Sequence, residues 1–160
     1  MPVVRFRAGR PGAWNRTANR PLQPNTAYIE KRTGYTYRTD ANGRVTSFSG
    51  RLRSGTGHRN AYQQARSGRR DRRATDQGGH LFAHIFRGPG ERINLVPMDS
   101  NLNLSAWKRM ENRWARALDG GSTVRVEGRV EYPPGSTRPS RFVVVENIDG
   151  RVRRHRFVNT

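Results

Sequence analysis

One long amphipathic helix pattern lies between two stretches of the sequence in which strand patterns predominate. In the segment from Ser105 to Leu118, apolar side chains recur at i, i+3, i+7 and i+11 and form one stripe: Trp107, Met110, Trp114 and Leu118. Polar and charged residues occupy the opposite face, and Asp119-Gly120-Gly121 provides a stop. A single helix among strands has to bury its apolar stripe against a sheet.

Both flanks of this helix alternate apolar and polar residues with turn residues between them, as antiparallel strands do. The pattern occurs in six segments: residues 27–32, 35–38, 45–48, 124–132, 142–145 and 152–158. Asn42-Gly43 and Asp149-Gly150 are typical hairpin turns. The sequence therefore predicts an α+β fold, with a mostly antiparallel sheet and one main helix at residues 105–118.

Residues 1–24 show no period and are rich in arginine, proline, glycine and asparagine. We expect a flexible arm or linker there, followed by one domain over residues 25–160. The N-terminus lacks the apolar segment of a secretory signal, and no stretch approaches the ~20 apolar residues that span a bilayer. We expect no membrane insertion, and delivery by another component if the protein leaves its cell. The absence of cysteine excludes disulfides, thiolate metal sites and cysteine nucleophiles.

Positive charge is the strongest feature of the composition. Lysine and arginine number 31 against 12 acidic residues, which gives a net charge of +19, and Lys31 and Lys108 are the only lysines. Arginine donates two N–H groups to phosphate oxygens, so this excess favours a nucleic-acid partner. A codon bias towards arginine would explain the scarcity of lysine but not the net charge.

The densest basic segment precedes a glycine-flanked histidine. Residues 51–73 contain eight arginines and one acid, and a short helix is expected around residues 60–66 with Tyr62 as its buried anchor. The segment is interpreted as a phosphate-binding surface, with a disordered basic loop as the alternative. His80 follows Gly78 and Gly79, and glycines let a phosphate backbone approach closely, although a structural histidine would look the same. His84 adds an i, i+4 pair, but no glutamate lies between the two as zinc proteases require.

Asn103 and Glu111 would supply one neutral oxygen and one carboxylate near the start of the helix. Together with water, such ligands suit Mg²⁺, a hard ion that keeps much of its hydration. The alternative is that Asn103 caps the helix and Glu111 forms an exposed ion pair with an arginine. Spacing alone favours this alternative.

Three motifs resemble those of the DNA/RNA non-specific endonucleases that carry a ββα-metal (His-Me finger) site. They are Asp76-x-Gly-Gly-His80, Asn94-Leu-Val-Pro97 and Leu102-Asn103-x-Ser-Ala-Trp107-x-x-Met-Glu111. More narrowly, the sequence is similar to the form found as C-terminal toxin domains of bacterial polymorphic toxins. The resemblance is tight from residue 71 to 118 and looser over residues 25–158.

The resemblance implies a role for each matching residue. His80 corresponds to the general base that activates water, and Asn103 to the ligand of a single Mg²⁺, which Mn²⁺ can replace. Glu111 corresponds to the acid that holds the water shell of the metal. Asp76 and Asn94 correspond to supporting residues. The resemblance also places a ββα site near His80.

The sequence departs from the family pattern in its arginines. Better known members have Asp-Arg-Gly-His, whereas this chain has Asp76-Gln-Gly-Gly-His80. A further arginine of the family lies upstream and does not align uniquely. Four residues are candidates for nucleic-acid binding: Arg53, Arg59, Arg72 and Arg73.

Taken together, the resemblance implies a Mg²⁺-dependent, sugar-nonspecific endonuclease that cleaves DNA, with RNA as a further candidate substrate. It implies an antibacterial toxin that is delivered without its own signal peptide, acts in the cytoplasm of the target cell and is accompanied by an acidic immunity protein. A neutral imidazole is needed to accept a proton, so activity is expected to fall below pH ~6 to 7. The alternative function is a non-catalytic, arginine-rich nucleic-acid-binding protein.

Overall fold

The computed structural model describes residues 1–160 as a seven-stranded sheet with a smaller two-stranded sheet and two helices packed on one of its faces. The nine strands are β1 (Val3–Phe6), β2 (Ala27–Glu30), β3 (Thr36–Thr39), β4 (Val45–Arg51), β5 (Asp76–His80), β6 (Leu95–Asp99), β7 (Val124–Glu131), β8 (Arg141–Ile148) and β9 (Arg151–Val158). The large sheet has the order β1-β2-β3-β4-β7-β8-β9, and only β1 and β2 pair in parallel. The α+β prediction is confirmed.

Four helices connect or cover these strands. They are α1 (Arg16–Asn19), α2 (Ala61–Arg66), α3 (Ser100–Leu104) and α4 (Ala106–Asp119), with short 3-10 turns at Arg69–Asp71 and Arg92–Asn94. Strands β5 and β6 pair antiparallel and lead into α3 and α4, so residues 76–119 form a ββα unit. None of the helices is long and apolar enough to cross a membrane.

The hydrophobic core lies between the inner face of the large sheet and the ββα unit. Strand β7 shows how the alternating pattern produces this arrangement, because Val124, Val126 and Val130 are buried while the arginines and glutamates between them are exposed. On α4 the stripe of Trp107, Met110 and Trp114 is buried as its spacing predicts.

Aromatic rings join the two layers of this core. The Trp107 and Phe142 rings lie 5.2 Å apart and connect α4 to β8. The ring of Phe82, which follows β5, stacks on Tyr35 at 4.0 Å and meets Phe48 edge-on at 5.4 Å. These contacts fix the segment after β5 against β3 and β4.

The main helix differs from the prediction at its start. The chain forms two helices rather than one, because Ser105 leaves the helical conformation with φ −121° and ψ −95°. Asp99 caps the first of them by accepting a hydrogen bond from the Leu102 amide at 3.3 Å. Asn103 therefore lies within α3 and is not the cap of the long helix.

Residues 1–24 pack against the rest of the chain, which differs from the expected flexible arm. Strand β1 pairs with β2, the Ala8 amide donates to Glu30 at 2.8 Å, and the Gly9 and Asn15 amides donate to the buried Glu91 at 2.7 and 2.8 Å. The acceptor Glu91 lies 82 and 76 residues further along the chain, so local composition gives no sign of it. The domain boundary at residue 24 stays a prediction.

Tyr62 is not the buried anchor of α2. Its side chain is 60% exposed, and its ring packs under the Arg66 guanidinium with 3.6 Å between the guanidinium carbon and the ring centroid. Gln63 is the buried residue of this helix, and Asn60 caps it by accepting from the Gln63 amide at 3.1 Å.

A buried ion pair attaches the ββα unit to the end of the large sheet. Arg138 Nε and Nη2 donate to the two carboxylate oxygens of Asp76 at 2.7 and 2.8 Å, and the two side chains are 7% and 0% exposed. Arg138 also donates to the Asn159 carbonyl at 2.8 Å. Burial acts to raise the pKa of Asp76, but the hydrogen bonds from Arg138 and the Arg73 amide outweigh it and hold the pKa below its ordinary value.

We expect Asp76→Ala to lower the free energy of unfolding by about 3 kcal/mol, because it leaves the Arg138 guanidinium buried without a partner. Urea unfolding monitored by tryptophan fluorescence measures this loss. Because the folded pKa of Asp76 is lowered, the contribution of the pair is present above pH ~4 and is lost as the pH falls below that value. The control Arg141→Met removes an exposed arginine and should change stability by less than about 0.5 kcal/mol. Equal effects of the two substitutions would contradict the prediction.

Candidate active site

The antiparallel pairing of β5 and β6 sets the position of His80. His80 pairs with Leu95 at one end of this two-stranded sheet, and Asp76 pairs with Asp99 at the other. Asp76 lies in the attachment to Arg138 described above, at the end remote from the imidazole. The structure therefore places Asp76 in the support of the strand that carries His80.

Asn94 closes the loop that joins these two strands. Its Oδ1 accepts from the Phe82 amide at 2.9 Å and from the Tyr37 hydroxyl at 2.8 Å, and its Nδ2 donates to the Phe82 and Pro89 carbonyls at 2.7 and 2.9 Å. The side chain is completely buried, so these bonds satisfy polar groups that water cannot reach. They hold the residues after His80 in one conformation.

The two glycines before His80 allow close packing of neighbouring elements. A Cβ atom on Gly78 would lie 2.4 Å from the Gln64 carbonyl oxygen of α2. A Cβ atom on Gly79 would lie 2.9 Å from the Cβ of Met98 on β6. The packing of α2 and β6 therefore accounts for both glycines, and the close approach of phosphate to this pair stays a prediction.

His80, Asn103 and Glu111 meet in one open cleft of about 640 Å³. Strand β5, the short helix α3 and the second turn of α4 supply one residue each. Further polar residues line the same cleft: Arg59, Gln64, Arg72, Gln77, His84, Lys108 and Asn112. The break at Ser105 does not separate Asn103 from Glu111, since both face this cleft.

His80 is held as a neutral imidazole. Its Nε2 atom is buried and has no hydrogen-bond partner in the protein. Burial, reinforced by the positive charge of Arg59 and by His84, lowers the pKa of His80 to about 4. The side chain is therefore ready to accept a proton at neutral pH. The decline in activity at low pH stays a prediction, and the lowered pKa of His80 moves it to lower pH than the ordinary value of an imidazole indicates.

Gln77 orients Asn103 through a contact that no sequence pattern predicts. Asn103 Nδ2 donates to Gln77 Oε1 at 2.6 Å. Since the amide nitrogen is occupied in this way, the oxygen Oδ1 is the atom left for another partner in the cleft. Gln77 points towards α3 from the strand that ends at His80, and only the packing of α3 against β5 brings the two amides together.

Glu111 lies in the same cleft and forms no salt bridge, so the alternative of an exposed ion pair with an arginine is wrong. Burial raises the pKa of its carboxyl to about 7, although the nearby charges of Lys108 and Arg59 act in the opposite direction. Any additional cation that binds beside this half-buried carboxyl would stabilise its ionised form.

The four candidate arginines have different roles in the structure. Arg59 lines the cleft, and its Nη2 lies 3.1 Å from His84 Nδ1. Arg72 also lines the cleft, but its guanidinium donates to the carbonyls of Gln64, Ser67 and Asp76 and so supports the backbone. Arg53 and Arg73 are exposed and lie outside the residues that form the cleft.

His84 is a second imidazole of the cleft that the sequence interpretation left without a role. Its ring centroid lies 6.4 Å from that of His80. A guanidinium can only donate, so the contact with Arg59 requires His84 Nδ1 to be an acceptor and places the proton of the neutral ring on Nε2. The i, i+4 spacing was the available sign that the two rings lie near each other.

Comparison with known proteins identifies the family of this fold and cleft. Residues 24–150 match the sequence profile described as DNA/RNA non-specific endonuclease. The chain belongs to the DNA/RNA non-specific endonuclease family. The matched region contains the whole ββα unit and all the cleft residues named above.

The chain is also similar to secretion-system proteins of Staphylococcus aureus. It is 33% identical over 145 residues to the type VII secretion system protein EssD of strain USA300, and the match covers 86% of this chain but 24% of that protein. The EssD proteins of strains NCTC 8325 / PS 47 and Newman match with the same identity. The endonuclease thus spans about a quarter of the length of these relatives.

The donor atoms of the cleft fit a hard divalent cation. The Asn103 oxygen is free because Gln77 holds the amide nitrogen, and Glu111 is a carboxyl without an internal ion-pair partner. One neutral and one anionic oxygen suit Mg²⁺ or Mn²⁺ with water as the remaining ligands. Thiolate is absent from the chain, and neither histidine is needed as a ligand in this arrangement.

We expect Mg²⁺ to stabilise the endonuclease more at pH 8 than at pH 5. Because the folded pKa of Glu111 is raised, its neutral carboxyl favours the folded state at low pH, and this contribution is lost as the pH rises towards about 7. A bound cation compensates the charged carboxylate above that pH, by about 1 to 2 kcal/mol at ~10 mM Mg²⁺ if the dissociation constant is near 1 mM. The melting temperature with and without Mg²⁺ measures the effect.

Two substitutions serve as controls for this measurement. Glu111→Gln should abolish most of the Mg²⁺-induced shift at both pH values. Glu127→Gln removes an exposed carboxylate on the outer face of the sheet and should leave the shift as in the wild type. A wild-type shift of equal size at pH 5 and pH 8 would show that Glu111 does not take part.

Proposed function

We propose that this protein is a Mg²⁺-dependent endonuclease that hydrolyses the phosphodiester bonds of DNA and RNA, with His80 as general base. The observation that carries the proposal is the neutral, half-buried imidazole of His80 in the same cleft as the free oxygen of Asn103 and the carboxyl of Glu111. A base, a cation site and cationic side chains are the components that phosphodiester hydrolysis requires.

In this mechanism His80 takes a proton from the attacking water at its unprotonated ring nitrogen. The lowered pKa keeps that nitrogen free over the physiological range, and burial keeps the ring in place. Asn103 and Glu111 hold the cation, with Gln77 and Asn94 as positioning residues behind the cleft. When bound, Mg²⁺ neutralises charge on the scissile phosphate and on the leaving oxygen.

Arg59 is the arginine best placed to bind the scissile phosphate. It is exposed on the rim of the cleft, close enough to His80, His84 and Glu111 to affect the pKa of each. Its contact with His84 fixes the direction of the guanidinium, which leaves its other N–H groups for phosphate oxygens. Lys108 adds a second cation to the same cleft.

The charge distribution supports cleavage of nucleic acids without specificity for the sugar. The net charge of +19 and the open cleft favour contacts with the phosphate backbone, which DNA and RNA share. A non-catalytic binding protein would need the arginines but not the combination of a neutral imidazole with Asn103 and Glu111. This combination favours the enzyme over the binding protein.

We further propose that the endonuclease is a toxin domain that acts in the cytoplasm of a target cell. The similarity to a type VII secretion system protein supports delivery by a secretion apparatus. A producing cell needs protection from such an activity, and a partner with an acidic surface would meet the basic residues 51–73 and cover the cleft. This immunity protein would exclude nucleic acid by competing for the same guanidinium groups.

His80→Ala should lower the rate of plasmid cleavage by at least about 10²-fold while DNA binding is retained. Cleavage is measured on purified protein with Mg²⁺ and again with EDTA, and binding by gel shift in EDTA. In cells, expression of the wild type should stop growth and expression of His80→Ala should be tolerated. Arrest by both forms at equal protein levels would favour the non-catalytic alternative. If the wild type cleaves DNA in vitro but does not stop growth in cells, the toxin proposal is refuted and the nuclease proposal is retained.

Asn103→Ala should raise the Mg²⁺ concentration that gives half-maximal activity by about tenfold or more, since it removes a ligand from a site with only two protein oxygens. Glu111→Ala should act in the same direction but less strongly. Gln77→Leu should raise it as well, because the Asn103 amide is then free to rotate, whereas Gln77→Glu keeps an acceptor for Nδ2. Cleavage rates over a Mg²⁺ titration test this order. Full activity of Asn103→Ala at wild-type Mg²⁺ concentrations would exclude the assigned ligand.

A further inference from the structure

A second cleft lies on the far side of the two segments that form one wall of the active-site cleft. Residues 55–58 run beside residues 84–88, where Gly55 bridges to Phe86 and the Gly57 amide donates to the His84 carbonyl at 2.6 Å. This two-segment layer separates the active-site cleft from a cleft of about 500 Å³. Arg59 and His84 line the first, while their near neighbours His58 and Arg87 line the second.

Three arginines from separate parts of the chain line the second cleft. Arg10 comes from the N-terminal segment, Arg32 from the turn between β2 and β3, and Arg87 from the loop after β5. All three side chains are exposed, and none of them forms a salt bridge. Their guanidinium groups are therefore available to an anion that enters the cleft.

The one carboxylate that lines the second cleft forms no salt bridge with these arginines. Glu30 is 1% exposed, and its Oε1 accepts from the Arg32 and Thr33 amides at 2.8 and 3.0 Å. Its Oε2 accepts from the Ala8 amide at 2.8 Å. Since backbone amides occupy both oxygens, the charge of Glu30 is used to hold the wall.

The walls of the second cleft are built by close backbone packing. A Cβ atom on Gly57 would lie 2.3 Å from the Gly88 carbonyl oxygen, so the two segments touch directly there. Arg87 has a positive φ of 61°, a conformation that costs about 1 kcal/mol or more for a residue other than glycine. Its Nε donates to the Ser54 carbonyl at 2.9 Å, which directs the rest of the guanidinium away from that carbonyl.

We propose that the second cleft binds a flanking backbone phosphate of the nucleic-acid strand whose scissile phosphate lies in the active-site cleft. Arginine recognises phosphate oxygens through paired N–H groups, and three uncompensated guanidinium groups around one depression favour a polyanion. Gly57 of the second cleft is hydrogen-bonded to His84 of the active-site cleft, so the two clefts are neighbours and one strand of nucleic acid can reach both. The inference rests on the proposed function, because it requires a strand in the active-site cleft.

Such a subsite makes substrate length part of recognition. A fragment of about two nucleotides contacts only the active-site cleft, whereas a strand of about 12 nucleotides also reaches the second cleft. A strand held at both places cannot rotate about the scissile bond, and each additional phosphate contact increases the salt dependence of binding. Free phosphate or a mononucleotide would show the same chemistry but no dependence on length.

Binding of fluorescent single-stranded oligonucleotides to proteins that carry His80→Ala tests the proposal without cleavage. Replacing Arg10, Arg32 and Arg87 by glutamine should weaken binding of the 12-nucleotide strand by about tenfold or more and lower the slope of log K against log salt by about 1 to 2. Binding of the dinucleotide should change by less than about twofold. The matched control replaces Arg125, Arg129 and Arg154, which are exposed on the large sheet away from both clefts, and should have a much smaller effect on the longer strand.

Three results would overturn the inference. The first is an equal loss of affinity for the 12-nucleotide strand in both triple variants, and the second is an equal loss of affinity for long and short oligonucleotides. The third is binding of inorganic phosphate in the second cleft with which the longer strand does not compete. Because Arg87 contacts Ser54, the double variant Arg10→Gln/Arg32→Gln is measured as well and should show a smaller loss in the same direction. Plasmid cleavage by His80→Ala at the wild-type rate would instead refute the proposed mechanism and leave the binding result unaffected.

Discussion

The active site depends on a buried ion pair that lies outside it. The bidentate contact between Arg138 and Asp76 fixes the first residue of the strand whose last residue is His80. Within the same cluster, Asn159 accepts from the Asp99 amide and donates to the Pro97 carbonyl, so both strands of the hairpin are attached to the end of the large sheet. Two short strands alone would be marginally stable, and this attachment gives them a fixed position relative to α4.

Burial shifts the pKa values of two groups in the cleft in opposite directions. The same loss of hydration lowers the pKa of His80 and raises that of Glu111, because it disfavours the charged form of each. A histidine that is kept neutral can accept a proton at physiological pH. A bound cation stabilises the ionised form of a carboxyl whose pKa is raised. The charge of Arg59 reinforces the first shift, and the charges of Lys108 and Arg59 oppose the second.

The sequence predicted those features that repeat along the chain or match a family motif. The stripe on α4, the alternation in β7 and the order of His80, Asn103 and Glu111 were all accessible in this way. The contacts that position them were not, since Gln77 meets Asn103 over 26 residues and Arg138 meets Asp76 over 62. The same limit applies to the N-terminal segment and the glycine pair, because the groups that they contact lie far away in the sequence. Hydrophobic periodicity predicts which face of an element is buried. It does not predict which polar residue of another element a given side chain contacts.

The attachment of the hairpin also determines when the cleft can form. Asp99 depends on Asn159, which lies 60 residues later, and the last strands β8 and β9 have to be in place before Asn159 can reach it. A chain made only as far as α4 contains His80, Asn103 and Glu111, yet lacks the residues that lock β5 and β6 together. During synthesis, the three side chains of the cleft therefore reach their final positions only after Asn159 has been made and β8 and β9 have formed.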